Sequence, residues 1–151
     1  METQLAQARH WINGEWAAPE SPGSPSTNPA TGEIIGSYTD GGQEVAEAAI
    51  QAAVHAFEHS DWRDDAMHRA TALHRLADAY EARTDELVDT LCRENGKLRN
   101  EAAYEVHFIP RALRFAAGLA VQSFGRVTGA KPGQQTMSIR QPVGVAGIIT
   151  P

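Results

Sequence analysis

Three groups of residues in this 151-residue chain have types and spacing that could do chemistry. Cys92 is its single cysteine, and a thiolate is a strong nucleophile when a neighbour lowers its pKa. His55 and His59 stand four apart, the spacing that sets two imidazoles on one helix face for a metal ion. Gly144 and Gly147 lie inside the apolar run PVGVAGIITP, residues 142–151, a faint likeness to a dinucleotide-binding turn.

Each has a plainer reading. Leu87, Val88, Leu91 and Cys92 share one helical face, so the thiol reads as a small buried hydrophobe with no evident activating base nearby. His55 and His59 share a polar face with Gln51 and Glu58, a third ligand at a sensible offset is missing, and His-Glu-x-x-His does not occur. The pair therefore reads as solvated surface. His68, His74 and His107 form no constellation, and no Gly-x-Ser-x-Gly elbow anchors a hydrolase triad. Gly144-Val-Ala-Gly147 is not Gly-x-Gly-x-x-Gly, and close backbone packing in a crowded sheet explains it equally well.

The elements that must position these residues follow from periodicity. HWINGEW, residues 10–16, sets Asn-Gly between two aromatic-bearing arms, the signal of a type I′ hairpin. The Pro/Ser/Gly-dense stretch 18–32 reads as an ordered surface loop, with the Asn28-Pro29-Ala30-Thr31-Gly32 turn leading into a strand, EIIGSYT. A helix starts near Gly42, with Ala46, Ala49, Ile50, Ala53 and Phe57 on its apolar face. A second starts near Asp64, with Ala66, Ala70, Leu73, Leu76, Ala77 and Tyr80 as its stripe. A third takes Thr84 as N-cap and stops at Asn95-Gly96. The fourth runs from about Arg99 to Val121 with Ala102, Val106, Ile109, Leu113 and Ala117 inward, and Pro110 predicts a kink or restart. QQTMSIRQ alternates as a half-exposed strand, and VGVAGIIT reads as a strand buried on both faces of a parallel sheet.

Composition sets the class. A hydrophobic share of 42% and a charged share of 21% are those of a globular chain rather than a disordered one. No run approaches a membrane span, and METQLAQARH has neither the basic nor the apolar region of a secretory signal. One cysteine excludes an internal disulfide and suits a reducing cytoplasm, the expected location. Residues 1–105 hold eight Lys/Arg and all nineteen Asp/Glu, while 106–151 hold five cations and no acid. That density is too low for a nucleic-acid surface, so the basic segment is expected to pack against acidic parts of its own protein or another subunit.

Taken in order, several short stretches resemble the N-terminal part of the NAD(P)-dependent aldehyde dehydrogenase superfamily. They are Trp11-Ile12-Asn13-Gly14-Glu15-Trp16, Asn28-Pro29-Ala30-Thr31-Gly32-Glu33-Ile34-Ile35-Gly36, Ala56-Phe57, Trp62-Arg63, Arg69-Ala70, Leu76-Ala77-Asp78, Glu94-Asn95-Gly96-Lys97 and Gln141-Pro142-Val143-Gly144-Val145. The resemblance implies an α/β fold, aldehyde-dehydrogenase-like. Its parts here would be an N-terminal hairpin and strand, a helical block, and the first strand of a Rossmann-like parallel sheet. It also implies that residues 1–151 are an incomplete N-terminal part of the cofactor-binding domain, with part of an oligomerisation β-arm and without the catalytic domain.

The implied reaction is oxidation of an aldehyde to a carboxylic acid with NAD or NADP, through a Cys thiohemiacetal hydrolysed with the help of a Glu. The nucleophile, base and oxyanion Asn of that scheme find no match in this chain, so no catalytic and no metal-binding residue is assigned, and the chain alone is expected to be inactive. Ile149, Thr150 and Pro151 match positions that line the adenosine side of the cofactor site. The family segment matching Ile149-Thr150-Pro151 continues into Trp-Asn, so the chain is expected to be a piece of a longer homo-oligomeric enzyme, a dimer or tetramer, with no nucleic-acid or membrane partner. Thr27 and Glu105 are weighed as holders of a monovalent cation, and Arg111 and Arg114 as neighbours of the substrate entrance. The alternative function is a non-catalytic helical module that binds a full-length dehydrogenase subunit.

Overall fold

A computed structural model describes residues 6–17, 23–122 and 124–150 of the chain. The Asn-Gly signal is realised first. Strands β2 (Trp11–Ile12) and β3 (Glu15–Trp16) pair antiparallel, with Asn13 at φ 54° and Gly14 at φ 80°, the two left-handed positions of a I′ turn. Trp11 and Trp16 sit opposite each other and meet edge to face at 4.8 Å, with the Arg9 guanidinium 5.4 Å from the Trp16 ring.

The EIIGSYT strand is β5 (Ile34–Tyr38), the centre of a three-stranded sheet. Strand β4 (Ser24–Thr27), inside the Pro/Ser loop, pairs with it antiparallel, and β1 (Ala6–Ala8) pairs with it parallel. Neither neighbour was evident from periodicity. β4 is Ser-Pro-Ser-Thr and β1 is Ala-Gln-Ala, three residues with no large apolar side chain, so backbone pairing alone defines them.

Four helices follow: α1 (Gly42–His59), α2 (Ala66–Ala82), α3 (Thr84–Asn95) and α4 (Arg99–Ala120). Asp65 caps α2 by accepting from His68 N at 2.9 Å. Gly96 ends α3 at φ 67°, its N–H on the Cys92 carbonyl, as the Asn-Gly stop requires. Thr84 is not the expected cap. It is already helical, and its hydroxyl donates back to the Glu81 carbonyl at 2.9 Å, so the joint between α2 and α3 is closed from the α2 side. The fourth helix runs through Pro110 unbroken, with Pro110 buried on its inward face. There the packing of Val106, Pro110 and Ala117 outweighs the one backbone bond that proline removes.

The core is small and made of small side chains: Ala70, Ala77, Val88, Ala102, Val106 and Ala117 are buried. Val88, Ala102 and Val106 form its centre, with Leu87, Leu91 and Cys92 packed against them. By contrast α1, whose apolar face was expected inward, buries none of its residues. Its first turns meet only the short β2 strand, at Trp11 and Ile12 beside Val45, Ala46 and Ala49, which is too little to bury it.

Arg114 ties α4 to α2, donating to Glu81 (2.8 Å, both carboxylate oxygens) and to Asp78 (2.7 Å). Through Arg114 the basic segment does reach acidic parts of its own chain. The hydrogen bond from Arg114 holds the Glu81 carboxyl below its ordinary value of 4.5. A lowered pKa stabilises the fold above that ordinary value and loses its contribution as pH falls through the lower, folded one. Arg114→Gln is therefore expected to lower the thermal midpoint at neutral pH, by an amount that shrinks as pH drops below 4.5 and with added salt. Thermal melts of both proteins across that range would settle it; a gap independent of pH would mean the pair contributes nothing.

Strands β6 (Gly125–Lys131) and β7 (Gln134–Ile139) form a separate antiparallel ribbon, turned at Gly133 (φ 81°). QQTMSIRQ is thus a strand, but Met137 and Ile139 are exposed, because the ribbon lies on no other layer among the described residues. VGVAGIIT is not a paired strand in this chain. Residues 140–150 run without a ladder partner, and Gly144 at φ 97° turns the run at its start. A buried strand needs neighbours on both sides, and the described residues offer none.

Candidate functional site

The C-terminal run and the turn between α1 and α2 border an open cleft of about 620 Å³. Its wall combines Phe57 and Trp62 with three guanidiniums, Arg63, Arg69 and Arg140. The Trp62-Arg63 and Arg69 fragments of the sequence meet here, and the geometry gives the reason. Arg69 Nη1 donates to the carbonyls of Trp62 (2.5 Å) and Arg63 (2.9 Å), tying down two backbone acceptors of the turn. Arg63 forks onto Asp64 at 3.1 Å, which raises the arginine's pKa and lowers the carboxylate's, chiefly by hydrogen bonding. Arg140 stacks 5.9 Å from the Phe124 ring, and its N–H bonds the Phe124 carbonyl at the mouth of the ribbon. Gly144 is the most enclosed residue of the run; a Cβ there would stand 4.0 Å from the Phe57 ring.

Beyond Gly144 the run opens. Ile149 is 98% exposed and Thr150 is exposed, while Pro151 lies outside the described residues. On their own Ile149 and Thr150 form an open extended edge with no helix N-terminus beside it. Among the described residues, Ile149 and Thr150 have no further elements around them to close a cradle for a dinucleotide.

A second cluster joins parts of the sequence more than sixty positions apart. Asn28 Oδ1 accepts from Ala30 N at 2.9 Å, and Gly32 N bonds the Asn28 carbonyl at 2.8 Å, which folds Asn-Pro-Ala-Thr-Gly into a closed turn. Its Pro29 leans on Gly96: a Cβ at Gly96 would lie 2.9 Å from Pro29 Cγ. Glycine is thus required twice at this corner, for the positive φ and for the approach. Just past it, Lys97 Nζ pairs with Glu105 at 2.7 Å. The Glu105 carboxylate weighed as a cation holder already faces an ammonium, and Thr27 is an exposed residue of β4 registered with Ile34. Among the described residues no three His, Cys, Asp or Glu side chains gather as a metal site.

Cys92 is half-buried against the central cluster, as a structural thiol should be. His55 and His59 are exposed, with their rings stacked at 4.5 Å. The sequence reading missed the arginine-walled cleft, because Arg140 meets Arg63 and Arg69 only through the fold. It also missed the Lys97–Glu105 pair, although the eight-residue separation across a helix start could have suggested it.

Small sheets flanking a four-helix block, with two clusters built from the family-like motifs, define a mixed α/β fold. Residues 16–151 match the aldehyde dehydrogenase family, and the chain belongs to that family. Succinate-semialdehyde dehydrogenase [NADP(+)] 2 of Schizosaccharomyces pombe is 36% identical over 97% of this chain and 30% of its own length. Glutarate-semialdehyde dehydrogenase of Pseudomonas putida is 33% identical over 99% of this chain and 32% of its own. Among solved structures, betaine aldehyde dehydrogenase of Staphylococcus aureus in complex with NAD+ superposes with a TM-score of 0.83 at 28% identity, covering 89% of this chain and 27% of that one. Lactaldehyde dehydrogenase of Escherichia coli gives 0.80 at 27% identity, over 87% and 28%. The chain spans roughly a third or less of the length of these relatives.

Proposed function

We propose that the chain is an N-terminal part of the cofactor-binding domain, with part of an oligomerisation arm, of a cytoplasmic enzyme that oxidises an aldehyde to a carboxylic acid with NAD or NADP. The observation that carries this is the family match running through the open apolar segment 143–150. That segment has the composition of an interior strand and lacks only neighbours. Given those, it becomes the first strand of the dinucleotide-binding sheet, and Ile149, Thr150 and Pro151 reach the adenosine side of the site. The β6–β7 ribbon suits subunit assembly into a dimer or tetramer, since β7 is exposed along its whole length. The relatives carry NADP(+) in one name and NAD+ in one complex, which suits either cofactor.

The 151 residues alone are inactive on this reading, because the family's thiolate, general base and oxyanion amide have no counterpart among them. Two assays test it. The purified chain should form no NAD(P)H from short aliphatic aldehydes or semialdehydes, and turnover would overturn its inactivity. A chimera carrying residues 1–151 in place of the matching part of the S. pombe relative should oxidise succinate semialdehyde; a folded but inert chimera would overturn the assignment.

A second reading has one observation of its own. Tyr104, Phe108, Phe115 and Leu119 line a single exposed stripe of α4, the kind of face a helical interaction module offers a dehydrogenase subunit. Co-purification of the chain with a full-length homologue distinguishes it.

A further inference from the structure

The chain has four asparagines, each followed by a backbone nitrogen in a different situation. An asparagine loses its side-chain amide when that next nitrogen attacks its Cγ, which requires an N–H that is free to move and little bulk around it. Asn28 precedes Pro29, which has no N–H to give. Asn95 and Asn100 lie in helices, and the nitrogens after them are held. Glu101 N–H is shared between the Leu98 carbonyl and Asn100 Oδ1, each at 3.0 Å. Gly96 N–H donates to the Cys92 carbonyl at 2.9 Å, and Gly96 itself is pressed against Pro29. Asn13 is the exception. It stands at φ 54° in the exposed two-residue turn between β2 and β3, followed by Gly14. Gly14 N–H makes no hydrogen bond among the described residues, and nothing lies within 4 Å of the place where a Cβ would stand.

We propose that Asn13 is a site of spontaneous deamidation, and that the β2–β3 hairpin is where this chain ages. The Gly14 nitrogen gives up its proton and bonds to Asn13 Cγ. The Cγ–Nδ2 bond breaks, ammonia leaves with that proton, and a succinimide ring remains. Water then opens the ring at one of its two carbonyls. Opening at Cγ leaves aspartate, which tolerates the left-handed position. Opening at the main-chain carbonyl leaves isoaspartate, whose backbone runs through Cβ and is one carbon longer. A I′ turn fits two residues of ordinary length, so the isoaspartyl form loses the register that sets Trp11 against Trp16 at 4.8 Å. Either product also places a new negative charge beside Glu15.

The test holds the folded 151-residue chain in mildly alkaline buffer at body temperature, with samples digested at intervals and mapped by mass. The glutamyl-endopeptidase fragment 3–15 carries Asn13, and the tryptic fragment 94–97 carries Asn95. Asn13 is expected to convert faster than Asn95 by about tenfold or more, since opening a capping hydrogen bond of ordinary strength already costs about that factor. In urea the two Asn-Gly pairs should convert at similar rates, which assigns the difference to the fold. The exciton circular dichroism band of the Trp11–Trp16 pair should fade as isoaspartate accumulates in the parent. It should persist in Asn13→Gly, which still suits a I′ turn and has no amide to lose. Equal rates at Asn13 and Asn95 in the folded chain, conversion of Asn13 only after unfolding, or a band that fades as fast in Asn13→Gly overturns the proposal.

Discussion

Replacing Ala77 with leucine is expected to destabilise the chain by about 1–3 kcal/mol or more, a large share of what so small a core can supply. Ala77 is 0% exposed on α2, and the buried residues of the facing helix α4 are Ala102, Val106, Pro110 and Ala117. Helix axes approach according to the side chains between them, and here those side chains are methyl groups and little more. Three added carbon atoms at Ala77 find no void, so α2 and α4 must move apart. The same movement pulls Arg114 away from Asp78 and Glu81, whose bonds depend on the close approach. The neighbouring residue is the control. Leu76 is 47% exposed, and Leu76→Ala should stay within about 0.5 kcal/mol of the parent. Urea unfolding followed by helical circular dichroism compares the two. An Ala77→Leu midpoint equal to the parent's would mean that the two helices are not close-packed at this level.

That interface also shows which parts of the fold were legible in the residues. The α4 stripe was, because Ala102, Val106 and Ala117 recur at helical spacing and do go inward. The Asn13-Gly14 hairpin and the Gly96 stop were legible for a stronger reason: few residues tolerate a positive φ, so their chemistry names their geometry. The apolar face of α1 and the run 143–150 are apolar as read, and both stay largely uncovered among the described residues. Periodicity states which face seeks a partner, but not whether the partner lies within the same stretch of chain. β1 and β4 were invisible because neither carries a large apolar residue, and only their backbone bonds mark them. At the candidate site, the Trp62-Arg63 and Arg69 fragments could be picked out as family-like. Their actual task, closing the α1–α2 turn through two carbonyls, needed distances.

Changing Ile148 and Ile149 together to lysine is expected to convert a self-associating chain into a largely monomeric one. Val143, Ile148 and Ile149 are 95%, 86% and 98% exposed, within an eight-residue window, 143–150, that has no charge and no proline. Such a window, with its backbone donors and acceptors unpaired, is a template for strand addition by a second copy. Two glycines temper it, since Gly144 already turns at φ 97°, so pairing should begin beyond it, at Val145 to Thr150. Lysines there leave the helices untouched, because Ile148 and Ile149 pack on nothing, but like charges on adjacent copies repel and disfavour an edge-to-edge ladder. Light scattering on a size-exclusion column, at rising protein concentration, reads the outcome. The parent should shift to larger species as concentration increases while the double variant holds the monomer mass, with the same urea midpoint for both. Equal association of the two proteins would move the cause elsewhere, to the exposed aromatic stripe of α4, and Phe108→Ser with Phe115→Ser would then suppress it instead.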